Sequence, residues 1–281
     1  MLERLRQGPG EEARREAGLT SESPPPSRWT LRTIRATIQA IQNYTLSGVW
    51  WWLRRRVGVK LRSGRVQHFS PDPQYKTKVA KLKRCLHEAA CNPKETTLLF
   101  LDEMGYTRWP DPAPTWAAAP PADPPQADRQ RSNNGLWRVI GGLNAWTGKV
   151  TYLDNYIVGR AKVIEMYDRI AKTYSRAKRI YVVQDNWSIH THPDVLTALE
   201  AHPQIKPIGL PTYAPWLNPI EKLWRSLKET ILKMHRLANA WPALHQRVND
   251  FLGQFARGSK RLLRYVGLLG DGQLAQAMQF T

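Results

Sequence analysis

Two runs of apolar residues constrain this chain more than any other feature. Thr96-Thr97-Leu98-Leu99-Phe100-Leu101 leads into Asp102, and Arg179-Ile180-Tyr181-Val182-Val183 leads through Gln184 into Asp185. Short continuous apolar runs read as strands buried on both faces. Such strands need helices to cover them. Helical periodicity follows at 161–174, 192–202 and 220–235, a hairpin pattern spans 137–155 with its turn at Asn144 to Gly148, and 205–211 reads as a further short strand. Alternating strands and helices predict an α/β domain on a mixed sheet, bounded here at 96–234. Seven prolines at 110, 112, 114, 120, 121, 124 and 125 mark an insertion at 107–135, since proline disfavours regular structure. Residues 235–281 read as a helical C-terminal region.

The N-terminal third differs in charge. Between Arg28 and Arg84, fourteen Lys and Arg residues face one acid, Asp72, in a chain whose net charge is +19. An excess of this size attracts polyanions, of which duplex DNA is the commonest. Within 28–70, Leu31, Ile34, Ile38 and Ile41 recur at helical spacing, Asn43-Tyr44-Thr45 interrupts, and a second helix follows from an N-cap at Ser47 to a stop at Gly58. This reads as a helix-turn-helix. Its candidate DNA contacts are Arg54, Arg55, Arg56, Lys60, Arg62 and Arg65. Trp50, Trp51 and Trp52 cannot share one helical face, so at least one reaches the surface, while most of their area is expected in packing. Residues 1–27, rich in Glu, Arg, Pro and Ser, read as a disordered tail, and 71–95 as a linker helix.

The composition also excludes classes. No apolar run approaches the ~20 residues needed to span a bilayer, and the mean hydropathy is −0.52. No apolar leader opens the chain. The expected location is the cytoplasm. Cys85 and Cys91 lack zinc-site spacing and companion ligands.

Asp102 and Asp185 fall after buried strands, where open α/β sheets collect their active sites. Glu221 lies early in the helix carrying Leu223, Leu227 and Ile231, with Trp224 beside that face as a packing residue. Three carboxylates suit Mg²⁺ or Mn²⁺, because hard cations take oxygen ligands. Two such ions would support phosphoryl transfer. Glu103 is expected to point to the opposite face from Asp102. Each acid alone is better read as a cap or a first-turn acid; the pattern gains force jointly.

The text around these acids resembles the bacterial insertion-sequence transposases of the mariner superfamily. Leu98-Leu99-Phe100-Leu101-Asp102-Glu103 is similar to the family's first catalytic motif. Gln184-Asp185-Asn186 with His190 resembles the second, and Asn218-Pro219-Ile220-Glu221 the third. Thirty-five residues, 186–220, separate the last two acids, close to the family's spacing. The resemblance implies an RNase H-like core with a DDE triad at Asp102, Asp185 and Glu221, supported by Asn186, His190 and Asn218. It implies a transposase that cuts element ends and joins the 3′-OH to target DNA, a TA target dinucleotide, and a homodimer in the synaptic complex. Family members usually carry two helix-turn-helix units; one is legible here, which points to a truncated reading frame. The rival readings are a structure-selective nuclease without strand transfer, and an inactive DNA-binding protein.

Overall fold

The structure, a computed structural model, describes residues 3, 5, 8–20, 26–61, 69–116, 123, 125–127, 129 and 133–276. The chain divides into two compact units, 1–67 and 68–281.

The first unit contains α1 (Glu11–Glu16), α2 (Leu31–Thr37) and α3 (Leu46–Trp52). A helix at 11–16 departs from the expected disordered tail. Two glutamates in its first turn and two arginines in its last suit the helix dipole, Glu11 pairs with Arg14, and Ala13 is buried. α2 starts at Thr30, which forms a reciprocal capping box with Thr33. It ends at Ile38, whose backbone is extended, and one 3-10 turn, Gln39–Ile41, follows. α3 is capped by Thr45, whose hydroxyl accepts from the Gly48 amide, rather than by Ser47. It continues as a π turn, Leu53–Val57, and stops at Gly58 in the left-handed conformation, φ 73°, which glycine adopts without a Cβ penalty. Ile34, Ile41, Val49 and Leu53 form the core. Trp50 and Trp51 are 50% and 51% exposed, so two of the three tryptophans lie at the surface rather than in packing.

The second unit begins with α4 (Tyr75–Cys91), followed by β1 (Thr96–Thr107), β2 (Leu136–Asn144), β3 (Val150–Asn155), α5 (Arg160–Thr173), β4 (Arg179–Gln184), α6 (Pro193–Glu200) and β5 (Ile205–Gly209). α7 (Ile220–Leu227), α8 (Trp241–Gly253), α9 (Lys260–Val266) and the short α10 (Gln273–Gln276) complete it. The strands form one sheet ordered β3-β2-β1-β4-β5. β1 runs antiparallel to β2 and parallel to β4, and β5 is parallel to β4. The hairpin turn is held by Asn144, whose side-chain oxygen accepts from the Trp146 and Thr147 amides.

Strand alternation divides the core. Leu98, Phe100, Met104 and Tyr106 face α4, α7, α8 and α9, whereas Leu99 and Leu101 face α5. α4, read from sequence as a linker, is thus part of this core through Leu82, Cys85 and Leu86. β1 ends at Thr107 and β2 starts at Leu136, so the proline-rich segment leaves and re-enters the sheet through paired strands. Asp111 nonetheless belongs to the body of the unit: its amide donates to Leu232 O and its carbonyl accepts from Met234 N.

Candidate active site

Asp102 is not at the end of a strand. β1 continues five residues beyond it, paired with β2, with Asp102 opposite Gly141. What ends there is the pairing with β4, whose last partners are Phe100 and Val183. Carrying that parallel register on by two residues sets Asp102 beside Asp185. Side chains two apart share a face, so both acids face the α7 side of the sheet.

α7 brings the third acid. Asn218 is buried; its amide nitrogen donates to Leu101 O at 3.4 Å, and its backbone carbonyl accepts from the Glu221 amide. Asn218 therefore ties the start of α7 to the strand residue before Asp102. Behind it Trp224 is buried against the sheet, where a Cβ on Gly141 would lie 2.6 Å from its ring. Its indole Nε1–H donates to Asp102 Oδ2 at 3.0 Å. Sequence spacing gives Trp224 a packing role only; the donation to a reacting-site carboxylate leaves no trace there.

Asp102, Asp185 and Glu221 line one open cleft of about 470 Å³ together with Asn186, Thr212, Tyr213 and Asn218. Burial pushes the Asp102 carboxyl up to about 7, with Glu221 and Asp185 adding repulsion. Glu221 is also raised, chiefly by partial burial. Asp185 sits in the loop after β4, where Oδ1 accepts from the Trp187 amide at 3.0 Å. Asn186 donates to Thr212 Oγ1.

Glu103 points to the other face, as alternation requires. Burial, then the charge of Asp102, raises it to about 8. His190 Nε2 lies 4.0 Å from Glu103 Oε1 and 3.7 Å from Asp185 Oδ1. Burial lowers the His190 pKa, against the opposing pull of the Asp185 carboxylate. Glu103 Oε1, His190 Nδ1 and Asn218 Oδ1 are buried without hydrogen-bond partners. Two features of the rim have no counterpart in the sequence reading. Tyr213 is 77% exposed and holds φ 51°, a strained backbone for a bulky residue. Asp72, the lone acid of the basic stretch, accepts from Lys78 Nζ, Gln74 N and Thr212 N and is thereby lowered to about 2.

The donor set fits a hard divalent cation: oxygen ligands only, crowded enough to repel one another. Among the described residues, however, no three His, Cys, Asp or Glu side chains are already gathered as a metal cage. One oxygen of Asp102 and one of Asp185 are engaged by Trp224 and Trp187.

Of the expected DNA contacts, Arg54, Arg55, Arg56 and Lys60 are exposed in the first unit, and the Arg54 guanidinium stacks over Trp50 at 5.4 Å. Arg62 and Arg65 lie outside the described residues. Among the described residues no helix is long and apolar enough to cross a membrane.

Comparison with known proteins places these features in a family. An uncharacterized 39 kDa protein of insertion element IS630 from Shigella sonnei is 27% identical over 232 residues, covering 80% of this chain and 64% of that protein. The chain thus spans less than two thirds of that relative. The Mos1 transposase in a paired-end complex with the left transposon end aligns over 93% of this chain and 82% of its own, at TM-score 0.56 and 16% identity. The Mos1 mariner paired-end complex with Mn aligns over 99% and 87%, at 0.51 and 15%. These structures establish the RNase H-like fold. Residues 97–241, which carry all three acids and the strands and helix that position them, match the DDE superfamily endonucleases, and the chain belongs to that family.

Proposed function

We propose that this protein is a DNA transposase whose second unit cleaves phosphodiester bonds at element ends and transfers the 3′-OH to target DNA. The observation that carries the reading is the convergence of Asp102, Asp185 and Glu221 on one cleft in a chain of net charge +19. Strongly basic character holds a DNA backbone, and the acids suit the metal chemistry of its cleavage. The relative encoded by an insertion element and the fold shared with Mos1 complexes holding transposon-end DNA favour transposition over a nuclease without strand transfer.

Asp102, Asp185 and Glu221 would hold Mg²⁺ or Mn²⁺, in our reading two ions. Such ions supply a nucleophilic oxygen at neutral pH and stabilise the departing one. The chain's own residues do the rest. β1 fixes Asp102 through its ladder to β2. Trp224 orients one Asp102 oxygen, and Asn218 sets the approach of Glu221. Asn186, through Thr212, holds the wall that carries Tyr213. His190 lies beside Asp185, with Nε2 3.7 Å from Oδ1. In the first unit, α2 and α3 act as a helix-turn-helix that presents Arg54, Arg55, Arg56 and Lys60 to duplex DNA, with Arg62 and Arg65 following in sequence. Element ends are brought together by a homodimer in the bacterial cytoplasm at the nucleoid.

The test is nicking of a labelled duplex carrying an element end. Asp102→Asn, Asp185→Asn and Glu221→Gln should each lower the rate by at least about a hundredfold, as loss of a metal ligand removes transition-state stabilisation. Duplex affinity should persist. Chelator should abolish nicking and Mn²⁺ restore it. Wild-type nicking by Asp185→Asn would remove the assignment. Joined products in the presence of target DNA separate a transposase from a simple nuclease.

A further inference from the structure

The helix carrying Glu221 has a second, basic side. Lys222, Arg225 and Ser226 are spaced three and four apart and form one stripe on α7. α9 packs along α7, and Lys222 Nζ donates to Val266 O at 3.1 Å. α9 buries Leu262, Leu263 and Val266 and exposes Lys260, Arg261 and Arg264. Among the described residues none of Lys222, Arg225, Arg261 and Arg264 is in an ion pair. Arg225 acts electrostatically on Glu221, opposing the burial that raises its carboxyl, while Arg261 and Arg264 face solvent with no acid paired to them.

Their position gives the charge a direction. A cleft of about 650 Å³ lies along Lys222 and Arg225 and runs to Val266 and Gly267. It shares Pro215, Asn218 and Glu221 with the carboxylate cleft. A further cleft, lined by Ser226, Thr230, Arg261 and Tyr265, continues along the same pair of helices. α7 has eight residues, about 12 Å of helix at 1.5 Å per residue. That is the length of about three to four phosphates at 3.4 Å per strand step.

We propose that the seam between α7 and α9 is a second DNA-backbone contact, taking the phosphates of the strand that leads away from the carboxylate cleft. This rests on the reading of that cleft as the place where DNA is cut. The contact is separate from the basic helix of the first unit. It positions the duplex over the acids without reading bases, since Lys and Arg side chains on phosphates carry register rather than sequence.

The experiment uses the full chain. Arg225→Gln, Arg261→Gln and Arg264→Gln are combined, and duplex affinity is measured in chelator across a range of salt concentrations. Every phosphate that the protein ceases to neutralise makes the log–log slope shallower by about 0.9, so the variant's slope should be shallower by about two to three. A control lacking Lys172 at the end of α5 and Arg176 and Lys178 just after it, on the opposite face of the sheet, should keep the wild-type slope. Equal slopes for the two variants, or no change in either, overturn the proposal. In Mn²⁺ the double variant Arg261→Gln, Arg264→Gln, which leaves Arg225 beside Glu221, should show a KM for DNA raised several-fold with kcat little changed. Should wild-type protein not nick at all, the cleft reading fails while the slopes still decide the seam. Acetylation of wild-type protein covers the case of a variant that does not fold. Bound duplex should slow labelling of Lys222 and Lys260 severalfold, and undiminished labelling rejects the contact.

Discussion

At the residue scale, the packing of Gly141, Trp224 and Asp102 decides how firmly the first carboxylate is held. Only a residue without a Cβ lets the indole lie on the strand opposite Asp102. Gly141→Ala should force the ring outward and cost about 1–3 kcal/mol, the usual range for overpacking. Nicking should fall at least tenfold because Asp102 loses its oriented donor; calorimetric melting and a nicking assay check the two halves. A second expectation concerns pH. Asp102 and Glu103 are raised to about 7 and about 8 from 3.8 and 4.5. Between about pH 4 and pH 8 the folded chain therefore keeps protons that the unfolded chain has released, and stability falls as pH rises through that window. In chelator the melting temperature should drop by several degrees from pH 5 to pH 8, and Glu103→Gln should flatten that drop. A melting temperature that climbs over this range would contradict the burial of these acids. The gathering of the three acids in one cleft was legible because an acid closing an apolar run and a first-turn glutamate leave spacing in the sequence. The Trp224 donation was not, because it joins positions 122 apart.

At the element scale, apolar periodicity locates most strands and helices and misses what tertiary contacts decide. Spacing alone carries the buried stripe of α7 on to Ile231. The helix instead closes in a π turn, Lys228–Leu232, which shifts the register so that Leu232 is buried and Ile231 only partly so. From the apolar run alone Asp102 reads as the end of its strand, whereas pairing with β2 carries β1 on to Thr107. Residues 70–72 show the same dependence on distant partners. Ser70 donates to Thr212 O and Asp72 accepts from Thr212 N, clamping the loop that carries Tyr213. Because Asp72 is lowered to about 2, its contribution is present above its ordinary value near 3.8 and lost as pH falls through about 2. Asp72→Asn should leave the protein folded at neutral pH, with the 210–213 loop more exposed to hydrogen exchange and nicking reduced. Unchanged exchange at Thr212 would show that the clamp is idle. In the first unit, Gly58→Ala should cost about 1 kcal/mol, since alanine resists the left-handed conformation, and helicity of the isolated unit would reveal it.

At the scale of the whole molecule, charge and topology are distributed differently. The positive excess was visible in composition, and its location in the basic N-terminal stretch could be read from the chain. The α7–α9 seam could not, because it assembles from residues about 40 positions apart. Arg54→Ala, Arg55→Ala and Arg56→Ala together should weaken duplex binding and make its salt dependence shallower by about two to three. An unchanged slope would take that helix out of the interface. The proline-rich segment gives a complementary expectation. Asp111 is bonded into the body of the unit, so a deletion must begin beyond it. Removing 113–128 should leave the melting temperature within a few degrees of wild type while paired-end complexes become fewer.

The continuation of β1 past Asp102 bears on how such a protein can change over time. Five ladder registers separate the Asp102–Gly141 pair from the Thr107–Leu136 pair where the proline-rich segment departs. Those registers act as a mechanical buffer. Insertions and deletions at the outer end are absorbed before they reach the carboxylate, so the chemistry can stay fixed while the proline-rich segment is remodelled. Lineages sharing this core should therefore differ freely in that segment's length and composition, while the rungs nearest Asp102 tolerate almost no change.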